Sequence, residues 1–182
     1  MTNSVPGGDR ILGRLRTADS MGVVRIEDHF DTDIHDLWSA LTDPARLARW
    51  HGVVDGDIRP GGAFRLYLAA DDVESTGRVN VCEPPRRLRV TTRETDASYQ
   101  KGQGAPSFDE ITDITLTTDG DQTLLVVEVQ GLPLAQIAFY GVGVQLHAEH
   151  LAAYLTGREP GDGEARWNAL LPHYQDLAAT LG

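Results

Sequence analysis

The side chains best suited to chemistry lie in the second half of the sequence. Glu110 falls on the same alternate positions as Phe108, Thr112, Ile114 and Leu116, so in a strand it would share their face. A carboxyl buried there would carry a raised pKa and could act as an acid or base; at a solvated strand end it would do neither. Arg78 is its potential counter-charge across a sheet, or else an outward surface residue. His147 and His150 stand three apart with Glu149 between them, a spacing that puts both histidines on one side of a helix. Two histidines need further ligands to hold a metal, and neither an HExxH motif nor a thiolate partner accompanies them. No metal is expected, therefore, and Gln145 and His147 read better as groups that hydrogen-bond a ligand, or as structural and solvent-facing side chains. Nucleophilic catalysis has little support, because there is no GxSxG elbow and Cys82, the single cysteine, sits in no reactive motif. Gly102-Gln103-Gly104 and Gly141-Val142-Gly143 neither follow a strand nor open a helix with a third glycine, so no nucleotide cofactor is expected.

The elements that must position these residues follow from hydrophobic spacing. Residues 1–22 mix Pro6, Gly7 and Gly8 with scattered charges, and read as a tail or lead-in able to add an edge segment. Val24, Ile26 and Phe30 then alternate as in a half-buried strand. Thr32 or Asp33 can cap a helix through Ile34, Leu37, Trp38 and Leu41, which Asp43-Pro44 ends, and Pro44 suits the first turn of a second short helix carrying Leu47 and Trp50. From Val53 to Pro133 six strand-like runs are separated by Pro60-Gly61-Gly62, Asp71-Asp72, Pro84-Pro85 and Asp119-Gly120-Asp121. Such short connections predict an antiparallel meander. The Gly-, Ser- and Gln-rich stretch 96–106 is a long loop whose one large side chain, Tyr99, could serve a lid. Ile137, Tyr140, Val144, Leu151 and Leu155 mark one stripe of a long helix that Gly157 can end. Gly141 and Gly143 would let it pass close to the sheet. Trp167, Leu170, Tyr174, Leu177 and Leu181 mark a further helical stripe that Pro172 should kink or split. This stripe is either a homodimer interface or the face by which the segment packs on its own barrel.

Composition limits the choice of function. The chain has 182 residues, 41% hydrophobic and 24% charged, enough for one domain with a real core, expected here over 23–182 with a C-terminal extension from 158. Sixteen Lys and Arg against twenty-seven Asp and Glu give a net charge of -11, which repels nucleic-acid phosphates and anionic lipid alike. A single cysteine excludes an internal disulfide framework. The first residues lack a basic segment followed by an apolar one, and no apolar run is long enough to span a bilayer, so a cytoplasmic protein without membrane insertion is expected.

The order strand, two short helices, about six antiparallel strands and a long helix resembles the α+β helix-grip fold of the START-like (SRPBCC, Bet v-like) superfamily. The runs WSALTDPARLARW, GDIRPGGAFRL, GRVNVCEPPRRLRV and DGDQTLLVVEVQGLP narrow the resemblance to the branch named for the activator of the heat-shock protein ninety ATPase. YGVGVQLHAEHLAAYLTGRE and RWNALLPHYQDLA are similar to its bacterial single-domain members, so the resemblance runs from about Val23 to Leu181. It implies a curved sheet of six to seven strands gripping the long helix, with an apolar cavity between them. Val144 stands where this set often carries a bulky aromatic side chain, which implies a roomier cavity. Strand alternation assigns Phe64, Leu66 and Leu68, and Leu125, Val127 and Val129, to inner faces. Trp38, Trp50, Tyr99, Phe108, Phe139 and Tyr140 are the ring side chains expected at the cavity, with Glu110, Val144, Gln145 and His147 beside them. The leading expectation is binding of a small hydrophobic or amphipathic molecule by enclosure. The alternatives are a cofactor-independent cyclase, dehydratase or hydrolase using Glu110 or His147, and a chaperone-related or other protein-interaction module.

Overall fold

A computed structural model describes residues 10–68, 73–94 and 108–181. Eight antiparallel strands form one curved sheet in the order β1-β2-β8-β7-β6-β5-β4-β3. They are β1 (Gly13–Ala18), β2 (Met21–Phe30), β3 (Val53–Gly56), β4 (Ala63–Leu68), β5 (Val73–Glu83), β6 (Arg87–Glu94), β7 (Glu110–Asp119) and β8 (Gln122–Leu132). The helices are α1 (Ile34–Thr42), α2 (Pro44–Leu47), α3 (Ile137–Leu155) and α4 (Gly163–Ala179), with a single 3₁₀ turn at Leu134–Gln136 before α3. This is the helix-grip architecture, with more strands than the six to seven expected. Part of the excess is β1, which lies within residues 1–22 and pairs along β2 from Gly13 against Ile26 to Ala18 against Met21. Its turn, Asp19-Ser20, places both residues at positive φ, +49° and +65°, the geometry of the two-residue turns that match strand twist.

Local chemistry accounts for the other boundaries. The Asp33 carboxylate accepts from the backbone N–H groups of His35 and Asp36 and so starts α1. Asp43 does the same for α2, whose first residue is Pro44. Gly120, at φ +61°, turns β7 into β8. A register shift between Val79 and Val81 in β5 adds an unpaired residue that helps to bend the sheet.

The long helix covers only part of the sheet. Val24 and Ile26 of β2 and Val129 and Leu132 of β8 pack with Ile137 and Ala148 of α3. Phe30, Leu37, Leu116, Leu125 and Leu151 form a second cluster, which closes the α1 end. On its far side α3 meets α4 through Ala138, Val142, Leu170 and Tyr174. α3 is buried on two sides: the expected stripe through Ile137, Tyr140, Val144 and Leu151 faces the sheet, and Ala138 and Val142 face α4. Gly141 does not serve approach to the sheet, because a Cβ there would lie 2.3 Å from the Tyr174 ring of α4. Pro172 does not split α4, which runs unbroken for 17 residues; Leu170 and Tyr174, on either side of the proline, are both buried against α3. Of the stripe expected either to pack on its own barrel or to form a homodimer interface, Leu170 and Tyr174 are buried against α3, and Trp167, Leu177 and Leu181 are partly buried.

Candidate functional site

Where β4 to β7 curve away from α3, they leave a cavity of about 780 Å³. Strand parity sets its walls. Phe64, Leu66 and Leu68 of β4, Leu88 and Val90 of β6, and Ile114 of β7 point inward, while Tyr140, Gly143, Val144, His147 and Leu151 face them from α3. These last residues recur at three- and four-residue intervals, the spacing of one helix face. Phe139 lines the cavity and is 46% exposed, so it stands at the rim.

Polar groups on the walls are few and clustered. Glu110 opens β7 and lies opposite Thr92, while Glu94 lies opposite Ser75; with Thr112 they make one polar patch across three adjacent strands. The Glu110 carboxyl accepts a long hydrogen bond from Thr112, 3.4 Å. Burial, with the nearby Glu94 adding to it, pushes that carboxyl up to about 7. The phenol of Tyr140 is also pushed up, first by burial and then by Glu110 and Glu94. Its ring meets Phe108 edge to face, with centroids 5.8 Å apart. Farther along α3, His147 meets His51 at 4.6 Å between ring centroids. The His51 Nδ1 is buried without a hydrogen-bond partner. Burial, reinforced by His147 and His150, lowers the imidazole to about 3 and keeps it neutral. Among the described residues, no group of three or more His, Cys, Asp or Glu side chains could hold a metal ion.

Of the residues expected at a site, nine line this cavity: Trp50, Phe64, Leu66, Phe108, Glu110, Phe139, Tyr140, Val144 and His147. Trp38 does not; it packs against the cluster of Phe30, Leu37 and Leu125. Gln145 faces away from the cavity and is fully buried. Its Oε1 accepts from the Leu12 N–H and the Tyr174 hydroxyl, and its Nε2 donates to the Arg10 carbonyl and to Glu149. It is a structural tie between the segment leading into β1, α3 and α4. Arg78 is exposed and lies outside the cavity walls. Tyr99 lies outside the described residues. Sequence reasoning passed over Glu94, Thr92, Ser75 and His51. Glu94 and Thr92 share parity with Leu88 and Val90 in RRLRVTTRET, so alternation could have found them. His51, on the turn after α2, carries no such signal.

Residues 31–156 match the family described as Activator of Hsp90 ATPase homolog 1-like protein. The chain belongs to this family. Among solved structures of the same fold, CalU16 from Micromonospora echinospora is 26% identical with a TM-score of 0.72, over 91% of this chain and 95% of that one. DynU16, from the dynemicin biosynthetic locus, is 25% identical with a TM-score of 0.64, over 76% of this chain and 48% of that one. A protein of unknown function from Enterococcus faecalis, 17% identical with a TM-score of 0.65 over 93% of this chain and 92% of that one, shares the fold alone. No curated protein matches the sequence. The family's fold is thus combined here with a cavity whose walls carry two carboxyls and a neutral histidine.

Proposed function

We propose that this protein binds a small hydrophobic or amphipathic molecule in its central cavity. The observation that carries this reading is the cavity, whose volume of about 780 Å³ lies within the range of roughly 300–1,000 Å³ typical of small-molecule sites. Its aliphatic and aromatic walls would desolvate a ligand body, and the clustered polar groups would orient it. The likeness to DynU16, from a biosynthetic locus, favours a product or intermediate of biosynthesis as the ligand. No helix among the described residues is long and apolar enough to cross a membrane, in keeping with a ligand met in solution and with the cytoplasmic location expected from the sequence.

Native mass spectrometry of the protein freshly purified from its own host tests this reading. The expected result is a discrete excess mass that is released on denaturation. The reading fails if no mass is retained and if lipids, polyketides and aromatic metabolites neither bind nor raise the melting temperature.

A second reading, a cofactor-independent acid–base enzyme, is favoured by one observation, the Glu110 carboxyl held near neutrality beside a substrate-sized cavity. It predicts turnover of a cavity-bound compound that Glu110→Gln or His147→Ala abolishes. Turnover unaffected by either substitution would exclude it.

A further inference from the structure

The turn after α2 brings to the cavity a polar group that the chain leaves unpaired. His51 lines the cavity and keeps part of its surface open, yet its Nδ1 is buried without a hydrogen-bond partner. A buried polar atom in that state costs stability that a partner would restore. Its neighbours in the chain have nothing to give. The Trp50 Nε1 donates to the Ala40 carbonyl at 3.0 Å, so Trp50 offers His51 only its ring, with centroids 5.1 Å apart. The Leu47 carbonyl already accepts from the His51 and Gly52 N–H groups. A lone water is a poor partner, because it needs two or more polar groups and the walls beside the histidine pair include Leu47, Trp50 and Leu151. A half-turn about the Cβ–Cγ bond leaves the outline of an imidazole unchanged and exchanges Nδ1 with Cδ2, so an occupant of the cavity can reach the unpaired nitrogen.

The same surroundings limit the charge of that occupant. Neither Lys nor Arg lines the cavity among the described residues, and burial, with His147 and His150, keeps His51 neutral, so an anion taken out of water would meet no cation here. An ammonium group needs acceptors for three N–H bonds, where His51 offers one nitrogen. A neutral hydroxyl suits the site, because it both donates and accepts and so pairs with the nitrogen in either tautomer. A carbonyl or ether oxygen only accepts, and pairs with one tautomer alone. Trp50 and His147 both pack rings against His51, which favours a hydroxyl carried on an aromatic ring over one on a flexible chain.

We propose that His51 determines the specificity of the cavity and that the ligand is a phenol, with its hydroxyl bonded to the His51 imidazole and its ring set against Trp50 and His147. The assignment rests on the reading of the cavity as a binding site and names the chemistry of what binds. His147 lies seven residues beyond Tyr140 on α3, or about 10 Å along a helix rising about 1.5 Å per residue. The body of the ligand can extend over that distance past Val144 and Gly143 toward Tyr140, so a phenol fused to further rings fills the wall better than a single ring.

The test uses the full chain at pH 7, loaded with a neutral reporter, N-phenyl-1-naphthylamine, and three competitors that differ in one group: 2-naphthol, 2-methoxynaphthalene and 2-naphthoic acid. The phenol should displace the reporter at a concentration about tenfold below that of its methyl ether, and the acid, ionised at this pH, should be weakest. In His51→Phe, which keeps an aromatic ring and removes both nitrogens, the phenol and the ether should come within about threefold of each other. A second measurement stands even if that variant does not fold. In the unaltered protein the imidazole 15N signals of His51 should move several-fold further with saturating 2-naphthol than with saturating 2-methoxynaphthalene. Equal displacement by phenol and ether, tightest binding by the acid, a preference that survives in folded His51→Phe, or equal movement of the 15N signals overturns the phenol assignment and leaves the binding site intact. Failure of the reporter and all three competitors to bind overturns the binding reading, and the assignment with it.

Discussion

Glu110 and His51 titrate in opposite senses, and each should mark the stability of the protein against pH. Glu110 has its carboxyl raised to about 7 in the folded chain from about 4.3 when unfolded. Its contribution is therefore fully present below the unfolded value and is lost as pH rises through 7. His51 is lowered to about 3 from about 6.5, so its contribution is present above 6.5 and is lost as pH falls toward 3. Between about 6.5 and 4.5 the two changes offset each other, each close to 1.4 kcal/mol per pH unit at most. Glu110→Gln removes one side of that balance. Urea denaturation should find this variant more stable than the parent at pH 8, by an amount on the order of 3 kcal/mol, and losing stability steeply from pH 6.5 to 4.5, where the parent changes little. Equal pH profiles would show that Glu110 is solvated. Parity with Phe108, Thr112 and Ile114 was enough to point Glu110 inward from the sequence. The orphaned Nδ1 of His51 was not legible there, because it depends on how the turn after α2 packs against α3.

At the scale of elements, the decisive contacts are those that hold α4 and β1 to α3. The Tyr174 hydroxyl accepts from the Gly13 N–H at 3.0 Å and donates to Gln145 Oε1 at 2.7 Å. Two glycines two residues apart on α3 face different neighbours and make a matched pair of substitutions. A Cβ at Gly141 would strike the Tyr174 ring, while a Cβ at Gly143 meets nothing within 4 Å. Thermal denaturation should show Gly141→Ala destabilised by about 1–3 kcal/mol through overpacking. Gly143→Ala should be neutral or stabilised by up to about 1 kcal/mol, the helix-propensity difference between the two residues. Similar effects at both positions would contradict the packing of α4. The six meander strands, both short helices and the C-terminal helices were legible because their signals are local: alternation, Asp33 and Asp43 as caps, Pro44 at a helix start, Gly120 in a turn. Strand β1 was read as a tail or lead-in because Gly13–Ala18, GRLRTA, has one large apolar residue, Leu15. It is held by pairing along β2, which follows it directly, and by Tyr174, distant in sequence, whose hydroxyl accepts from the Gly13 N–H.

At the scale of the molecule, the central feature is a long helix that fills one half of a curved sheet and leaves the other half hollow. Residues of β2 and β8 spend their apolar surface on α3, whereas Phe64, Leu66, Leu88 and Val90 face open space. Apolar surface left exposed in a cavity gains from any apolar body that displaces water from it. Alternation named the inner faces but not which of them would meet the helix, since that depends on sheet curvature. Gly143 offers the most direct test, because it lies on the cavity wall with free space above it. The measurement is the titration of N-phenyl-1-naphthylamine into the parent protein and into Gly143→Trp, with melting temperatures taken on both. The account predicts saturable uptake of about one dye per chain by the parent, and affinity at least about tenfold lower in a variant that remains folded, because the indole occupies the ligand's space. Equal uptake by the two folded proteins would place the dye elsewhere and contradict the central cavity as the binding site.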